Sequence, residues 1–375
     1  MKKLCLFMVS VMLFGMVACG RAQVQAPETP AVQAEETQAQ EEQEQAVQEE
    51  PEDSLIEQEE QAAEEAIDYS VVYPVTVTDQ AGREILIEKE PETLVSGYYI
   101  SSSLLIALEL DDRIVGIEAK AGKRPIYKRA AAQLMDLPNV GSAKEFDLEG
   151  CAALQADLVI LPLKLKEAAA TLEELGIQTI LVNPESEDLL IEMIDIISTA
   201  TNTVERGEAL KTFINTQKDW LNEKLDGAEK KSVYLAGNSG VLSTAGSKMY
   251  QSSMIALAGG ESVSADIDDK YWVDVDYEQI LTWNPDYIVI ASEAEYSVED
   301  VLADETLSEC SAVQNGNVYK IPADAEAWDS PVPSGILGSV WLAGILHSDV
   351  ISSEDSDRII EEFYEMFYEF KYNEE

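Results

Sequence analysis

Histidine is all but absent from this chain, cysteine is scarce, and basic side chains are heavily outnumbered: one histidine, four cysteines, and 25 Lys and Arg against 72 Asp and Glu in 375 residues. A single histidine, His347, supports no Ser-His-Asp set, no Cys-His pair and no nitrogen-rich cluster for bare zinc or manganese. It sits in an apolar helical pattern, where it reads as a capping or packing residue. No catalytic residue, metal centre or cofactor is therefore expected, and the chain is read as a protein that is not an enzyme. The formal charge of −47 argues against a nucleic-acid partner. Cys151 and Cys310 lie far apart in apolar or helical contexts, so they are read as two separate buried thiols and not as a disulfide. Beyond the first residues no apolar run is long enough to cross a bilayer.

The start is built differently. Met1-Lys2-Lys3 precedes an apolar run from Leu4 to Ala18, a charged start and a short apolar core that read as a secretory signal. The run ends in Met16-Val17-Ala18-Cys19-Gly20, with small residues just before a cysteine. That is the pattern of a bacterial lipoprotein processing site, and Cys19 is the expected point of lipidation. The protein would then be anchored to the outer face of the cytoplasmic membrane and not threaded through it. From Arg21 to about Asp68 the chain is Gln, Glu, Ala and Pro with Arg21 as the only basic residue, too polar to offset its ordering entropy. A disordered acidic tether is expected there, and much of the net charge belongs to it.

The remaining body of roughly 300 residues exceeds one compact core and predicts two domains. Val71–Thr78 and Glu84–Glu88 alternate on either side of a glycine-containing turn, a hairpin pattern. Short all-apolar strands then alternate with amphipathic helices, which predicts a parallel sheet covered on both faces. From Ser186 to Leu225 only helical periodicity remains, with Asn202-Thr203 as the expected cap of a helix long enough, at roughly 33 Å, to bridge two domains. Strand–helix alternation restarts at Val233 and ends in a long amphipathic helix from Glu354 to Tyr372. The predicted fold is α/β, two Rossmann-like lobes with parallel-rich sheets bridged by one long α-helix. The expected boundaries are a signal segment 1–19, tether 20–68, N-terminal lobe 69–200, bridging helix 201–228 and C-terminal lobe 229–375.

Two segments match one another. Asp147-Leu148-Glu149-Gly150 leads through a short helix to Ala156-Asp157 and a buried strand; Val275-Asp276-Tyr277-Glu278 leads likewise to Pro285-Asp286 and a buried strand. With Val77-Thr78-Asp79-Gln80-Ala81-Gly82-Arg83 and Leu137-Pro138-Asn139-Val140-Gly141, they make the body from Val75 onward resemble the binding proteins of iron-chelate, haem and cobalamin importers. The resemblance implies two lobes joined by a single rigid helix; a long helix resists bending more than two or three crossing strands, so little hinge motion is expected. It implies partners as well: an ABC permease with its ATPase, a membrane reached through lipid, and a small-molecule ligand carried by a monomer. It also implies that Glu149 and Glu278 dock onto permease arginines. Read by themselves, the two glutamates are helix N-terminal acids favoured by the macrodipole.

Ligands of open α/β sheets bind beyond the carboxyl ends of the strands. Those ends offer Tyr98, Tyr99, Lys120, Lys123, Arg124, Tyr127 and Lys164 from the first lobe, and Ser243, Thr244, Ser247, Tyr250, Tyr271, Trp272, Trp328 and Ser330 from the second. Aromatic rings with lysine and arginine suit an anionic, partly aromatic chelate: ferric siderophore first, haem or a corrinoid second. A tetrahedral oxoanion such as molybdate or tungstate stands beside it within the same fold. A surface protein without a transporter and a chelate-processing protein stand outside it. Lys120, Lys123, Arg124, Lys128 and Arg129 crowd into ten residues, either as a solvated helix start or as a focus for an anion. Ser243-Thr244-Ala245-Gly246-Ser247 lacks the ending of a phosphate loop.

Overall fold

The computed structural model describes residues 67–269 and 271–373. The signal segment, Cys19 and the tether up to residue 66 lie outside the described residues. Within the rest, β1 (Val75–Thr78) and β2 (Glu84–Ile87) form the expected antiparallel hairpin, in register from Val75 opposite Ile87 to Thr78 opposite Glu84. Its turn is organised by Asp79, a buried carboxylate that accepts from the backbone N–H groups of Ala81 and Arg83, both at 3.0 Å. The same side chain pairs with the Arg83 guanidinium at 2.6 Å and accepts from Leu181 N at 3.0 Å. One acid thereby shapes the turn and fastens the hairpin to the neighbouring sheet.

That sheet contains β3 (Leu94–Ser96), β4 (Ile114–Ile117), β5 (Leu158–Pro162) and β6 (Gln178–Val182), in the order β4-β3-β5-β6 and parallel throughout. The second lobe holds β7 (Lys231–Ala236), β9 (Gly260–Ser262), β11 (Tyr287–Ile290) and β12 (Val318–Lys320), again parallel and in the order β12-β11-β7-β9. A small antiparallel pair, β8 (Ser243–Ala245) with β10 (Trp272–Asp274), lies beside it. In each large sheet the first strand is central, the second pairs on one side of it and the third on the other, so the two lobes share one plan. The chain order reverses between β3 and β5, and between β7 and β11; these are the crevices where open α/β sheets take ligands.

Side chains alternate along the strands, as a pleated strand requires. Leu94 and Ile160 face one apolar cluster, while Val95, Val159 and Leu161 face a second formed with Cys151, Ala169 and Leu172. In the other lobe Val233, Leu235 and Val289 join the first cluster, and Tyr234, Ile288 and Ile290 form a third. The inner faces of both sheets therefore feed one continuous core, and each outer face has its own. Each fully buried branched side chain in these clusters stabilises the fold by roughly 1.5–3 kcal/mol.

The bridge is the helix Val204–Lys224, of 21 residues and about 31 Å at 1.5 Å per residue. Its cap differs from the expectation. Asn202 adopts a left-handed conformation (φ 59°) and closes the preceding helix Glu187–Thr201, and Thr203 at the N-cap position makes no capping hydrogen bond. The bridge packs against the helices Glu187–Thr201, Ile336–Leu346 and Tyr250–Leu257. Phe213 meets Phe363 and Phe367 edge-on at 5.3 and 5.9 Å. Arg206 donates to Ala107 O of the first lobe at 2.9 Å and to Met366 O of the last helix, Ser353–Tyr368, at 2.7 Å. That helix ends at Tyr368, short of the expected Tyr372, because Glu369 turns left-handed (φ 58°) and sends Phe370 to Tyr372 back across the molecule. Among the described residues no helix is long and apolar enough to cross a membrane.

Candidate functional site

The two sheets present their C-terminal ends to one seam between the lobes. From the first lobe, β3 ends at Ser96-Gly97 and runs into the helix Tyr99–Ala107; a β-carbon at Gly97 would meet Leu161 Cδ2 at 2.6 Å, so any larger residue there would have to push the Leu161 side chain aside. From the second lobe, β11 leads into Ser292-Glu293, and β12 leads into the loop from Ile321 to Ser330. These segments enclose a cavity of about 180 Å³ lined by Tyr99, Ser103, Lys123, Arg124, Tyr127, Ser292, Glu293 and Glu326 among others.

Contacts cross this seam at several points. Arg124 Nη1 pairs with Glu293 Oε1 at 2.7 Å while its guanidinium lies 4.1 Å from the centre of the Tyr99 ring. Tyr99 donates to Ser330 Oγ at 3.3 Å, and Ile126 N donates to Ala325 O at 3.0 Å. Ser103 Oγ donates to Glu326, whose other oxygen accepts from Ser334 Oγ at 2.6 Å and from the Tyr368 hydroxyl at 3.2 Å. On the N-terminal side Glu118 accepts from Ser102 Oγ at 2.5 Å and from the Tyr127 hydroxyl at 2.7 Å. Burial pushes the carboxyls of Glu118, Glu326 and Asp329 upward, against the pull of their hydroxyl donors. Burial likewise pushes the Tyr99 phenol to about 12. The Arg124 charge is opposed by burial, but Glu293 and the phenols of Tyr99 and Tyr127 outweigh this and hold its pKa above the ordinary arginine value.

The residues expected at the cleft fall into groups. Tyr99, Lys123, Arg124 and Tyr127 line the cavity, and Tyr98 stands against Tyr99 edge-on at 5.3 Å. Ser330 is reached by Tyr99. Lys164 and Tyr271 face one another from the two lobes, 5.9 Å from ammonium to ring centre. Lys120 and Lys128 are exposed, and Arg129 turns instead to the C-terminal segment, bonding Lys371 O and Tyr372 O and stacking on Phe370 at 4.0 Å. Trp328 is 1% exposed and packs against Tyr372, donating from Nε1 to the Tyr364 hydroxyl at 2.8 Å. Tyr250 is buried beneath Gly335, and Ser243 and Thr244 are buried within β8. Trp272 covers Gly237, where an added β-carbon would meet its ring at 2.8 Å, and Ser247 is half-buried with its backbone bonded to Ile267 O. His347 is buried at the end of Ile336–Leu346, its Nε2 3.1 Å from Gly259 O. Cys151 and Cys310 are buried and unpaired, and burial pushes the Cys151 thiol to about 11. Among the described residues no three acids, histidines or cysteines are gathered to hold a metal.

Sequence reasoning missed Glu118, Ser103, Glu293 and Glu326. The signal was present in Ser101-Ser102-Ser103, a polar run inside an apolar helix, and in Ser292-Glu293, the first polar pair after a buried strand.

Glu149 and Glu278 are both exposed and occupy the same place, two residues after an aspartate that caps a short helix: Asp147 accepts from Gly150 N at 2.9 Å and Asp276 from Gln279 N at 2.8 Å. Glu149 also borders a groove of about 810 Å³, whose lining comes from the first lobe alone near the start of β5 and β6. That groove lies away from the strand ends where α/β sheets take ligands, so the inter-lobe cavity is the better candidate for a solute.

Two lobes of one plan, a rigid bridge and a polar cavity between strand ends define a solute-binding protein of the ABC-importer class. The comparisons agree: residues 94–325 match the periplasmic binding protein family, and the chain belongs to it. It is 24% identical over 336 residues to the molybdate-binding protein MolA of Haemophilus influenzae, across 82% of this chain and 94% of the relative. It is 24% identical over 280 residues to YvrC of Bacillus subtilis, described as an ABC transporter substrate-binding lipoprotein, across 72% of this chain and 85% of the relative. A periplasmic solute binding protein from Veillonella parvula shares the fold at a TM-score of 0.71 and 24% identity, covering 80% of this chain and 94% of that one.

Proposed function

We propose that this protein is the lipid-anchored, extracytoplasmic receptor of an ABC importer. It captures an anionic solute in the cavity at Arg124 and presents it to the permease through Glu149 and Glu278. The carrying observation is the cavity itself, closed by both lobes and lined by Arg124 and Lys123 within a strongly acidic chain. Its size orders the ligands. Drug-sized molecules occupy pockets of about 300–1,000 Å³, and this cavity is about 180 Å³, so a tetrahedral oxoanion such as molybdate suits it as formed. A ferric chelate, haem or a corrinoid requires the lobes to part, and stands second. The molybdate-binding relative supports the same order. The lipoprotein relative supports the anchor at Cys19. Transport without catalysis is favoured because the single histidine is buried away from the cavity, against Gly259.

Native mass spectrometry and absorption spectra of residues 67–375, a compact unit in its own right, test the reading against molybdate, ferric siderophores, haem and cobalamin. A one-to-one complex with molybdate is expected. Binding of a chelate in its place reverses the order of ligands, and no binding across the panel removes the anion reading. Release of the Cys19→Ser protein from the membrane fraction is the expected sign of the anchor; retention there argues against it.

A further inference from the structure

Arg124 is spent in an unusual way. Its guanidinium gives one N–H to Glu293 of the opposite lobe, and none of its other N–H groups has a hydrogen-bond partner among the described residues. It lies over the Tyr99 ring, 4.1 Å from its centre, at the rim of the cavity, with its side chain 25% exposed. Glu293 is 51% exposed and has Arg124 as its one hydrogen-bond partner among the described residues. Around it the loop is fixed: Ser292, its neighbour, donates to the buried Asp329 from both N and Oγ. A planar fork with unspent donors matches an oxygen-rich anion in a two-pronged grip, whereas a single contact to an exposed carboxylate is the weak form of that interaction.

Resting on the anion reading above, we propose that Glu293 is an internal stand-in for the ligand: it occupies Arg124 and latches the lobes, and an arriving anion must displace it. The exchange selects ligands. An anion with two acceptor oxygens replaces one hydrogen bond by several, while a neutral or cationic solute gains nothing that offsets breaking the pair. The geometry also couples recognition to the seam, because Arg124 lies two residues from Ile126, whose amide crosses to Ala325 O.

The test has a ligand arm and a ligand-independent arm. In Glu293→Gln the affinity for sodium molybdate, or for ferric citrate where that binds instead, is expected to rise roughly tenfold, equivalent to about 1.4 kcal/mol. Glu295→Gln, which removes an exposed charge two residues away, is the control for general electrostatics and is expected to change affinity little. Arg124→Ala is expected to abolish binding of either probe. Without any anion, hydrogen exchange at the Ile126 amide is expected to quicken several-fold in Glu293→Gln. Unchanged or weaker affinity in Glu293→Gln, or an equal gain in Glu295→Gln, overturns the stand-in role while leaving import intact. Full affinity in Arg124→Ala overturns the seat itself. If the wild type binds neither probe, the anion reading falls alone, and the exchange arm still decides the latch: unchanged exchange overturns it.

Discussion

Glu326 shows what one side chain does when two lobes close over it. It is buried, takes hydroxyl donors from Ser103 in one lobe and from Ser334 and Tyr368 in the other, and among the described residues has no cation bonded to it. Burial raises its pKa from the ordinary 4.5, so the folded protein keeps a proton that the unfolded chain releases. Stability from this group is therefore complete below the unfolded value and is lost as pH rises from there toward the folded value. Glu118 and Asp329 shift in the same direction for the same reason. The melting temperature is expected to fall as pH rises above the ordinary carboxyl value, and Glu326→Gln, which keeps an oxygen for the hydroxyls and cannot ionise, is expected to flatten part of that fall. A wild-type slope retained in Glu326→Gln assigns it to other groups.

At the scale of elements, the repeated segment explains itself. Asp157 accepts from Thr93 N and Oγ1 at 3.0 and 2.9 Å while its own N–H bonds Thr93 Oγ1 at 3.0 Å; Asp286 and Ser232 repeat the clasp, with the serine hydroxyl donating at 2.7 Å and accepting from Asp286 N at 2.9 Å. The aspartate before each buried strand thus pins β5 to the start of β3, and β11 to the start of β7. Asp286→Ala is expected to cost roughly 1 kcal/mol in denaturant unfolding, since it removes the acceptor of the Ser232 hydroxyl and of the Ser232 amide. The glutamates two residues past each cap do none of this structural holding. Glu149→Ala with Glu278→Ala is expected to leave the melting temperature and solute affinity nearly unchanged and to abolish uptake in cells; normal uptake removes them from docking. The clasps and the helix–strand order were legible because they depend on residues close in sequence or on apolar periodicity. The seam was not. Arg124 and Glu293 are 169 positions apart and Ser103 and Glu326 are 223 apart, and only the packing of two lobes makes them neighbours. Trp328 could be read as a cleft aromatic from its loop, but its burial depends on Tyr372 returning from the chain end.

Across the whole molecule the bridging helix sets the mechanics. A continuous helix with one buried stripe resists bending more than a pair of extended crossings would, and Arg206 and Phe213 tie it to both lobes. Scattering curves with and without ligand are expected to differ only slightly in radius of gyration; a large closure refutes a stiff bridge. Phe213→Ala is expected to lower unfolding free energy by about 3–5 kcal/mol, read from denaturant midpoints. The inner faces of both sheets share one apolar cluster, so neither lobe has a complete interior of its own. Heat should therefore melt the two as one cooperative unit, with a single calorimetric peak whose van't Hoff and measured enthalpies agree. Half-molecules cut at the bridge would each expose the face that the other half covers, and would recover native structure only when mixed.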